Sequence, residues 1–319
     1  MSGPPAVTVV IPTHERWGTL RRCLEALAVQ SIGPRRLQVI VVDDGSATDG
    51  AAEIRDHPWP FALTLLRQDN RGPAAARNRG LELASAPLTL FVNDDTLLAP
   101  GAVGRHVVVQ SASRRPVMLL GRFDFVPEFA AEPLGHMLSV GCHLFQYAML
   151  RSGDHADYHF AYTCNLSVPT AAARATGFDE AFGRPAGEDM DFGLRLQQQG
   201  FVVLFDAGIG ALHEHRLTVA SLANSFATRG EGAVTFALKH FRDAGAAGAM
   251  GATLRAADRD RDAIGATVAE STDALQAILD TVGPGQPPPQ AAWAELERLS
   301  SSASMRGALA HPEWTRLAA

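Results

Sequence analysis

Two groups of acidic residues follow apolar segments that are typical of buried strands. Asp43 and Asp44 end the segment "LQVIVVDD", and Asn93, Asp94 and Asp95 end "LTLFVNDD". Carboxylate oxygens are the ligands that Mg²⁺ and Mn²⁺ prefer, and one or two of them can hold such an ion against a diphosphate. Asp and Asn also form ordinary turns, so each group taken alone leaves both interpretations open.

A third acidic group stands at the predicted start of a helix. The segment "GEDMDFGLRL" places Glu188, Asp189 and Asp191 directly after a glycine. Acidic residues in a first helical turn stabilise the helix dipole without any catalytic role. One of them could instead be the general base that removes a proton from a hydroxyl group. We favour Asp189 as that base and expect Asp191 to pair with Arg195, four residues further on.

Histidine and arginine residues complete the set of candidates. "LHEHR" contains His213 and His215, whose side chains would point to opposite sides of an extended strand. One imidazole is therefore expected to complete an ion site, and we favour His213. Arg77 and Asn78 in "GPAAARNRG" open a predicted helix after a glycine-containing loop, which is a place that attracts phosphate. Solvated polar surface is the alternative for both segments.

The elements that must position these residues alternate along the first hundred residues. Apolar, β-branched segments predict strands at 6–12, 37–46, 62–69 and 87–95, and a helix is expected after each of the first three. This alternation predicts a mostly parallel sheet flanked by helices. Because open α/β sheets bind ligands at the carboxyl ends of their strands, the strand-end aspartates are expected at one edge.

The rest of the chain shows a less regular pattern of elements. Helices are predicted at 101–112, 170–177 and 187–200, and strands at 116–124, 164–169 and 201–206. From about residue 217 onward the chain is predicted to be helical, with a break at "GPGQPPPQ".

Composition and charge exclude several classes of function. The net charge of -6 over 319 residues gives no electrostatic case for nucleic-acid binding. Cys23, Cys142 and Cys164 are too few and too scattered for a disulfide framework or a zinc cluster, which fits a reducing compartment such as the cytoplasm. We expect no signal peptide and no membrane-spanning helix, and leave peripheral attachment to the inner face of the membrane open.

Taken together, the motifs resemble the family 2 glycosyltransferases. They are, in chain order, "VVIPTHER", "VIVVDDGSATDG", "NRGPAAARNRGLELA", "LFVNDD", "GFDEAFG", "GEDMDFGLRL" and "LHEHR". The resemblance covers about residues 6–240 and implies the GT-A fold, a Rossmann-like α/β sheet flanked by helices, in a domain at 1–244. A nucleotide-binding half would occupy about 1–100 and an acceptor-side half about 101–244. The helical extension at 245–319 is expected to pack on this domain or on a second subunit, as in a homodimer.

The resemblance also implies a role for individual residues. The nucleotide-binding positions of the family match Pro12, Thr13, Glu15 or Arg16, Asp43, Asp44, Arg77, Asn78, Asn93 and Asp94. The main metal ligand would be Asp95 with His213, and the catalytic base would be Asp189 with Glu188 beside it. One departure from the family pattern is Asn93, which stands where the first acid of the metal-binding triplet is usual. Its amide keeps an oxygen but brings no charge.

The activity implied is that of an inverting hexosyltransferase (EC 2.4) that uses Mg²⁺ or Mn²⁺. It would move a sugar from a nucleoside diphosphate to an acceptor hydroxyl on a glycan, a lipid-linked sugar, a small molecule or a peptide. UDP is the expected nucleotide, with dTDP and GDP as alternatives. A nucleotidyltransferase is disfavoured because no glycine-rich basic loop follows the first strand. A non-catalytic nucleotide-sugar-binding protein would be favoured if Asp189 pointed away from the donor pocket.

Overall fold

In the computed structural model, the described residues are 4–141, 143–241, 244–283 and 285–318, and they form two compact units. The first unit comprises the residues up to Val126 together with Gln146–Gly183 and Glu188–His215. The second unit comprises Pro127–Phe145, Arg184–Gly187 and the residues from Arg216 onward. Of the three cysteines, Cys23 and Cys164 are buried free thiols, whereas Cys142 lies outside the described residues.

The first unit holds a nine-stranded sheet among the described residues. Its strands are β1 (Val7–Thr13), β2 (Leu37–Asp44), β3 (Ala62–Gln68), β4 (Leu88–Val92), β5 (Thr96–Leu98), β6 (Val117–Phe125), β7 (His155–Ala156), β8 (Asn165–Pro169) and β9 (Val202–His213). The order is β3-β2-β1-β4-β8-β6-β9-β5, and β7 pairs with β9 outside this path. The first four strands in this order are parallel neighbours, as are β6 and β9, whereas β8, β5 and β7 run antiparallel to their partners. The predicted, largely parallel α/β sheet is confirmed.

Helices follow the strands closely in the first unit and dominate the second. They are α1 (Trp17–Ala28), α2 (Ala51–Asp56), α3 (Pro73–Leu83), α4 (Ala102–Ala112), α5 (Pro127–Ala130), α6 (Pro133–Val140), α7 (Thr170–Thr176), α8 (Glu188–Gln197), α9 (Val219–His240), α10 (Ala244–Asp258), α11 (Arg261–Leu279), α12 (Gln290–Ala310) and α13 (Thr315–Ala318). Short 3₁₀ turns lie at Pro34–Arg36, Tyr147–Met149 and Tyr158–Phe160. None of the described helices has both the length and the apolarity that a membrane crossing requires.

A group of aromatic rings in the core fixes the position of α8 in the first unit. Phe91 of β4 meets the ring of Phe178 edge-on at 5.2 Å, and Phe178 stacks on Phe192 of α8 at 4.2 Å. All three side chains are buried in one apolar cluster. Such aromatic pairs contribute about 0.5–1.5 kcal/mol beyond their buried area. The packing therefore holds the acidic start of α8 near the carboxyl end of β4.

Strand β9 is longer than the predicted segment 201–206, and β5 was not predicted. The pairing of β9 with β6 shifts register after Gly121, and the strand then continues to His213. Glycines in "DAGIGALH" weaken a strand signal, since Gly is unfavourable in strands and marks irregular pairing. β5 pairs antiparallel with the far end of β9, with Thr96 opposite His213. The two-residue strand β7 was not predicted either.

In the second unit, α9 packs closely against α12 through glycines. A Cβ atom at Gly230 would lie 1.8 Å from the carbonyl oxygen of Ser304, and one at Gly307 would lie 1.8 Å from that of Ala227. Because α9 packs with the helices that follow it, the compact units do not coincide with the expected segments 1–244 and 245–319. The functional boundary at residue 244 stays a prediction.

We expect Gly307→Ala to destabilise the second unit by about 1–3 kcal/mol, because the added methyl group forces α9 and α12 apart. Thermal and urea unfolding measure the change. Gly265→Ala on α11 is the matched control, since a Cβ there meets nothing within 4 Å. Helix propensity alone should make that control neutral or stabilising by up to about 1 kcal/mol. Equal melting temperatures for the two variants would contradict the close contact.

Candidate active site

Asp94 and Asp95 form the tight turn that joins β4 to β5. The turn is closed by a hydrogen bond of 3.2 Å from the Thr96 amide to the Asn93 carbonyl oxygen. The same pairing that places Thr96 opposite His213 brings this turn beside the end of β9. The turn interpretation and the ligand-site interpretation of the sequence are therefore compatible, because one turn presents both carboxylates.

Three potential metal ligands converge beside the turn. Nε2 of His213 lies 3.2 Å and Nδ1 of His215 lies 3.7 Å from Oδ2 of Asp95, and the ligand atoms of all three residues lie within 4.8 Å of one another. The expectation that only one imidazole faces the site is wrong. It assumed a continuing strand, but β9 ends at His213, so the side-chain alternation no longer applies to His215. His213 also stacks on the rings of Phe123 and Phe125.

Arg16 bridges the two carboxylates of the turn. Its Nη1 lies 3.0 Å from Oδ1 of Asp94, and its Nη2 lies 2.5 Å from Oδ2 of Asp95. Thr13 adds a hydrogen bond of 2.8 Å from its hydroxyl to Oδ2 of Asp94. The family resemblance implied Arg16 only as an alternative to Glu15 at the pocket edge. The contact follows from the sheet order, since β1 and β4 are parallel neighbours and their carboxyl-terminal loops meet.

The pKa values of the two aspartates are shifted in opposite directions. Burial raises the pKa of Asp94 to about 7, although Arg16 opposes this shift. Burial also acts to raise the pKa of Asp95, but His213 and Arg16 together hold it well below its usual range. Burial lowers the pKa of His215, which favours the neutral imidazole that can bind an ion. A charged carboxylate and a neutral imidazole thus face each other across the site.

Arg77 connects the turn to the start of α8. Its Nη1 lies 3.0 Å from Oε1 of Glu188, and its Nη2 donates to Oδ1 of Asn93 at 3.2 Å. The guanidinium is buried, with its carbon 5.5 Å from the centre of the Phe178 ring. Because Arg77 already pairs with Glu188, its contact with position 93 needs an acceptor oxygen and not a second carboxylate. This accounts physically for the departure from an acidic triplet, while the nucleotide contacts expected of Arg77 and Asn93 stay predictions.

Glu188 and Asp189 occupy different environments although they are adjacent. Glu188 is buried, and burial followed by the charge of Asp189 raises its pKa to about 7 against the effect of Arg77. Asp189 is only partly buried, and its Oδ1 accepts a hydrogen bond of 2.8 Å from the Met190 amide. Burial raises the pKa of the Cys164 thiol to about 12, and the carboxylates of Asp189 and Asp95 act in the same direction. Both carboxylates therefore lie within electrostatic reach of one buried thiol.

The raised pKa of Glu188 predicts a pH-dependent effect of Glu188→Gln on stability. The folded-state pKa of about 7 exceeds the usual 4.5, so the stability that protonated Glu188 contributes is lost as pH rises through about 7. Gln stays neutral throughout. We expect the free energy of unfolding of the variant, relative to that of wild type, to increase by at least about 1 kcal/mol from pH 5 to pH 8. Thermal unfolding at each pH measures this difference. Glu82→Gln controls for charge removal, because Glu82 lies on α3 with its side chain exposed. A stability difference that declined with pH would contradict burial as the cause.

Asp43 and Asp44 end β2 and make different contacts. Asp44 accepts hydrogen bonds from the side chain of Gln68 (2.8 Å) and from the backbone amides of Arg71 (2.9 Å) and Gly72 (2.8 Å), so it holds the loop before α3. Oδ1 of Asp43 binds Ser46, whereas its buried Oδ2 accepts no hydrogen bond from the described residues. Asp43 thus has one oxygen that accepts no hydrogen bond from the described residues and lies 3.7 Å from Nε of Arg67.

Three other predicted nucleotide-binding residues contact neighbouring loops or strands. Glu15 has a φ of +58°, and its carboxylate binds the amides of Ala47 and Thr48 and the hydroxyl of Thr48. The hydrogen bond from Thr48 is the largest of the effects that lower the pKa of Glu15. Asn78 binds both backbone groups of Phe178. Pro12 lies within β1, half-buried and beside β2. The nucleotide contacts of all three stay predictions.

A cleft opens beside the ends of β2 and β3. It has a volume of about 500 Å³ and is lined by Arg67, Gln68, Asp69 and Arg71. Arg67 lies 3.7 Å from Oδ2 of Asp43, which connects this cleft with the acidic strand end. Small-molecule sites in proteins typically measure about 300–1,000 Å³, so the cleft is large enough for a nucleoside.

Comparison with known proteins identifies the family. The sequence model of the family described as glycosyl transferase family 2 matches residues 8–161 of this chain. The chain belongs to this family. The chain is 30% identical over 252 residues to the validoxylamine A glucosyltransferase of Streptomyces hygroscopicus subsp. limoneus, in a match that covers 68% of this chain and 54% of that relative. The chain thus spans about half the length of the curated relatives it matches. These family relationships favour neither the nucleotidyltransferase nor the non-catalytic binder.

Solved structures share the fold. A mannosyltransferase from Pyrobaculum calidifontis in complex with GDP-Man and Mn²⁺ has a TM-score of 0.62 at 19% identity, covering 97% of this chain and 87% of that one. The S. aureus TarS fragment 1–349 in complex with UDP-GlcNAc has a TM-score of 0.51 at 16% identity, covering 70% and 65%. At these identities the likeness shows the fold alone, which is the GT-A fold that the family motifs imply.

Proposed function

We propose that the chain is an inverting glycosyltransferase that moves a sugar from a nucleoside diphosphate to an acceptor hydroxyl. One observation carries the proposal: a cluster of metal-ligand atoms on Asp95, His213 and His215 lies at the same strand edge as the acidic start of α8. The Arg77 side chain links the two parts through Asn93 and Glu188. A glycosyl transfer of this kind needs both a charge-stabilising site for the leaving diphosphate and a base for the acceptor.

The donor nucleoside is proposed to bind in the cleft at the ends of β2 and β3. The Oδ2 atom of Asp43, which accepts no hydrogen bond from the described residues, and the exposed arginines of the cleft support this placement. Asp44 would act by fixing the loop that forms the cleft wall. The diphosphate would then extend toward the turn that carries Asp94 and Asp95. UDP is the first nucleotide to test, with GDP and dTDP as the alternatives.

The residues beside the turn fit a divalent ion. Oδ1 of Asp95 is buried and accepts no hydrogen bond from the described residues, and two imidazole nitrogens lie close to its other oxygen. Imidazole ligands suit Mn²⁺ better than Mg²⁺, which prefers oxygen alone, so we propose Mn²⁺ held by Asp95, His213 and His215. When bound, such an ion neutralises charge that builds on the leaving diphosphate. The protein supplies the fixed ligand geometry through the pairing of β5 with β9.

Asp189 is the proposed general base. It is the more exposed of the two adjacent acids, whereas Glu188 is buried and paired with Arg77. The acceptor oxygen would form a bond to the anomeric carbon while the bond to the diphosphate oxygen breaks, and Asp189 would take the hydroxyl proton. The electron pair leaves with the nucleoside diphosphate. Attack from the opposite face inverts the anomeric centre in a single displacement.

A panel of nucleotide sugars tests the proposal. UDP-glucose, UDP-GlcNAc, GDP-mannose and dTDP-glucose would each be scored for thermal shift and for slow donor hydrolysis, with Mn²⁺ and with EDTA. The glucosyl donors are included because the relative from Streptomyces is named as a glucosyltransferase. We expect one donor to raise the melting temperature only when Mn²⁺ is present. No response to any donor would contradict the proposed function.

The acceptor, the assembly and the location stay predictions. A small-molecule acceptor is the first to test because the Streptomyces relative is named for validoxylamine A, with glycan, lipid-linked and peptide acceptors following. A homodimer through the C-terminal helices is testable by light scattering. In the second unit, the apolar residues Val268 and Leu275 of α11 are already buried, and α11 packs against α12. The cytoplasmic location expected from cysteine usage, with or without peripheral membrane attachment, is testable by cell fractionation.

A further inference from the structure

The guanidinium of Arg16 lies on the carboxylate that would bind the ion. Its Nη2 lies 2.5 Å from Oδ2 of Asp95, the same oxygen that faces His213 and His215 at 3.2 and 3.7 Å. We propose that Arg16 competes with the divalent ion for Asp95 and transfers to the donor diphosphate when the ion binds. Arg16 would thus be a positioning residue that couples ion loading to donor binding. This inference rests on the proposed function.

Electrostatic repulsion disfavours simultaneous binding of Arg16 and a divalent ion to Oδ2 of Asp95. Like charges a few ångströms apart repel strongly in a buried, low-dielectric site. Asp95 is 2% exposed, so solvent screens little of this repulsion. An ion bound to Oδ2 and both imidazoles would therefore displace the Nη2 group of Arg16 from that oxygen. An ion bound through the opposite oxygen, Oδ1, could instead leave Arg16 in place, and this is the alternative that the experiment must separate.

The position and chemistry of Arg16 are compatible with an exchange of the Asp95 carboxylate for the donor diphosphate. It precedes the first residue of α1 and makes no side-chain capping bond, and about a third of its side chain (34%) is exposed. Arginine offers parallel N–H groups that match phosphate oxygens as well as carboxylate oxygens. A guanidinium displaced from Asp95 would therefore find an equivalent partner in the donor diphosphate. Ion and donor would each strengthen the binding of the other, since coupling between two sites is reciprocal.

Arg16→Met tests the competition, because Met keeps an unbranched side chain and removes the charge. Mn²⁺ binding would be measured by electron paramagnetic resonance in the absence of nucleotide, and UDP and GDP binding by calorimetry in the presence of Mn²⁺. We expect the variant to bind Mn²⁺ at least about 10-fold more tightly than wild type and the nucleoside diphosphate at least about 10-fold more weakly, within the usual range of site-to-site coupling. Arg16→Lys keeps the charge but lacks the planar guanidinium group. Its affinities for Mn²⁺ and for the nucleoside diphosphate should lie between those of wild type and those of Arg16→Met.

Arg22→Met is the matched control. Arg22 lies on α1 and pairs at 2.5 Å with Glu214, whose backbone amide donates to the Asp95 carbonyl oxygen. The replacement of Arg22 therefore removes the same charge close to the site while the contacts of the Asp95 carboxylate stay in place. We expect the Mn²⁺ affinity of this control to stay within about twofold of wild type. An equal gain in Arg22→Met would overturn the competition in favour of a general charge effect. Unchanged or weaker Mn²⁺ binding in both Arg16 variants would also overturn it.

The readouts separate this inference from the proposed function. If wild type binds Mn²⁺ and a nucleoside diphosphate but the Arg16 variants do not differ from it, only the competition is wrong. If no protein in the series binds Mn²⁺ even with UDP or GDP present, the metal site is wrong and the competition with it. If wild type binds neither nucleotide nor nucleotide sugar, the proposed function is wrong and the inference that rests on it is overturned too.

Discussion

Replacement of Asp189 by Asn is expected to abolish sugar transfer while donor binding persists. Asn has the same size as Asp and keeps an oxygen that can accept the hydrogen bond from the Met190 amide. It cannot, however, take a proton from the hydroxyl group of the sugar acceptor. General bases contribute about 10²–10⁴-fold to such reactions, so kcat should fall at least about 100-fold. The dissociation constant of the donor should change less than about twofold. Single-turnover transfer and calorimetric donor binding measure the two effects.

Asp191→Asn is the matched control for this prediction. The predicted pair with Arg195 is confirmed, since Oδ2 of Asp191 lies 2.6 Å from Nη2 of Arg195. The expected position of this pair on the helix surface is wrong, because the side chain of Asp191 is fully buried. Hydrogen bonds to charged groups contribute about 1.5–3 kcal/mol, so this variant should melt at a lower temperature. Its folded fraction should retain kcat. If Asp189→Asn turned over normally, the base assignment would be wrong, and Glu188→Gln would test the adjacent carboxyl group.

The strand ends explain why part of the site was predictable from sequence. Apolar segments that stop abruptly at Thr13, Asp43 and Asp94 place polar groups at strand termini, and parallel neighbours bring those termini to one edge. Local patterning is sufficient for this step because each strand and each turn is encoded within about ten residues. The same reasoning located the acidic start of α8, where a glycine precedes three acids.

The second histidine shows where local patterning is insufficient. The approach of His215 to Asp95 depends on where β9 ends and on its pairing with β5, a strand of three residues. Pairing between segments more than a hundred residues apart leaves no local periodicity, and the glycines of β9 hide its length. The sequence therefore indicated a metal-binding histidine but could not show that two imidazoles face one carboxylate.

Partners of the buried polar residues could not be predicted for the same reason. Arg77 binds Glu188, which lies 111 residues further along the chain, and Asn78 binds the backbone of Phe178, 100 residues away. The sequence places both residues at a predicted helix start, where phosphate binding is expected. That placement is wrong, because α3 begins at Pro73 and both residues lie in its second turn, beyond the free amide groups of the first turn. Burial changes that expectation, because a buried guanidinium must be satisfied within the protein. Tertiary packing, rather than spacing, decides which of the two roles a residue can fill.

Asp95→Asn is expected to remove Mn²⁺ binding and, with it, donor binding. Asp95 supplies the one carboxylate of the Asp95, His213 and His215 cluster, and Asn lacks its charge. Losing even an indirect contact to a metal ligand costs about 10–100-fold in affinity, so losing this ligand should cost at least about 100-fold. Titration of Mn²⁺ in the presence of UDP or GDP measures the effect. EDTA added to wild type should reproduce the loss of donor-induced thermal shift.

Asp124→Asn on β6 controls for the loss of one charge, because that carboxylate is exposed and pairs with Arg122 at the surface. It should bind Mn²⁺ as wild type does. The stability of Asp95→Asn must be checked separately, because the charge of Asp95 also stabilises the fold. The pKa of Asp95 is lowered in the folded protein, so its charge contributes stability above about pH 4. This contribution is lost as pH falls through the folded-state pKa. The melting-temperature difference between Asp95→Asn and wild type should therefore shrink in acid, whereas the loss of Mn²⁺ binding should persist at neutral pH in fully folded protein. Retained Mn²⁺-dependent donor binding in Asp95→Asn would mean that the ion is held elsewhere.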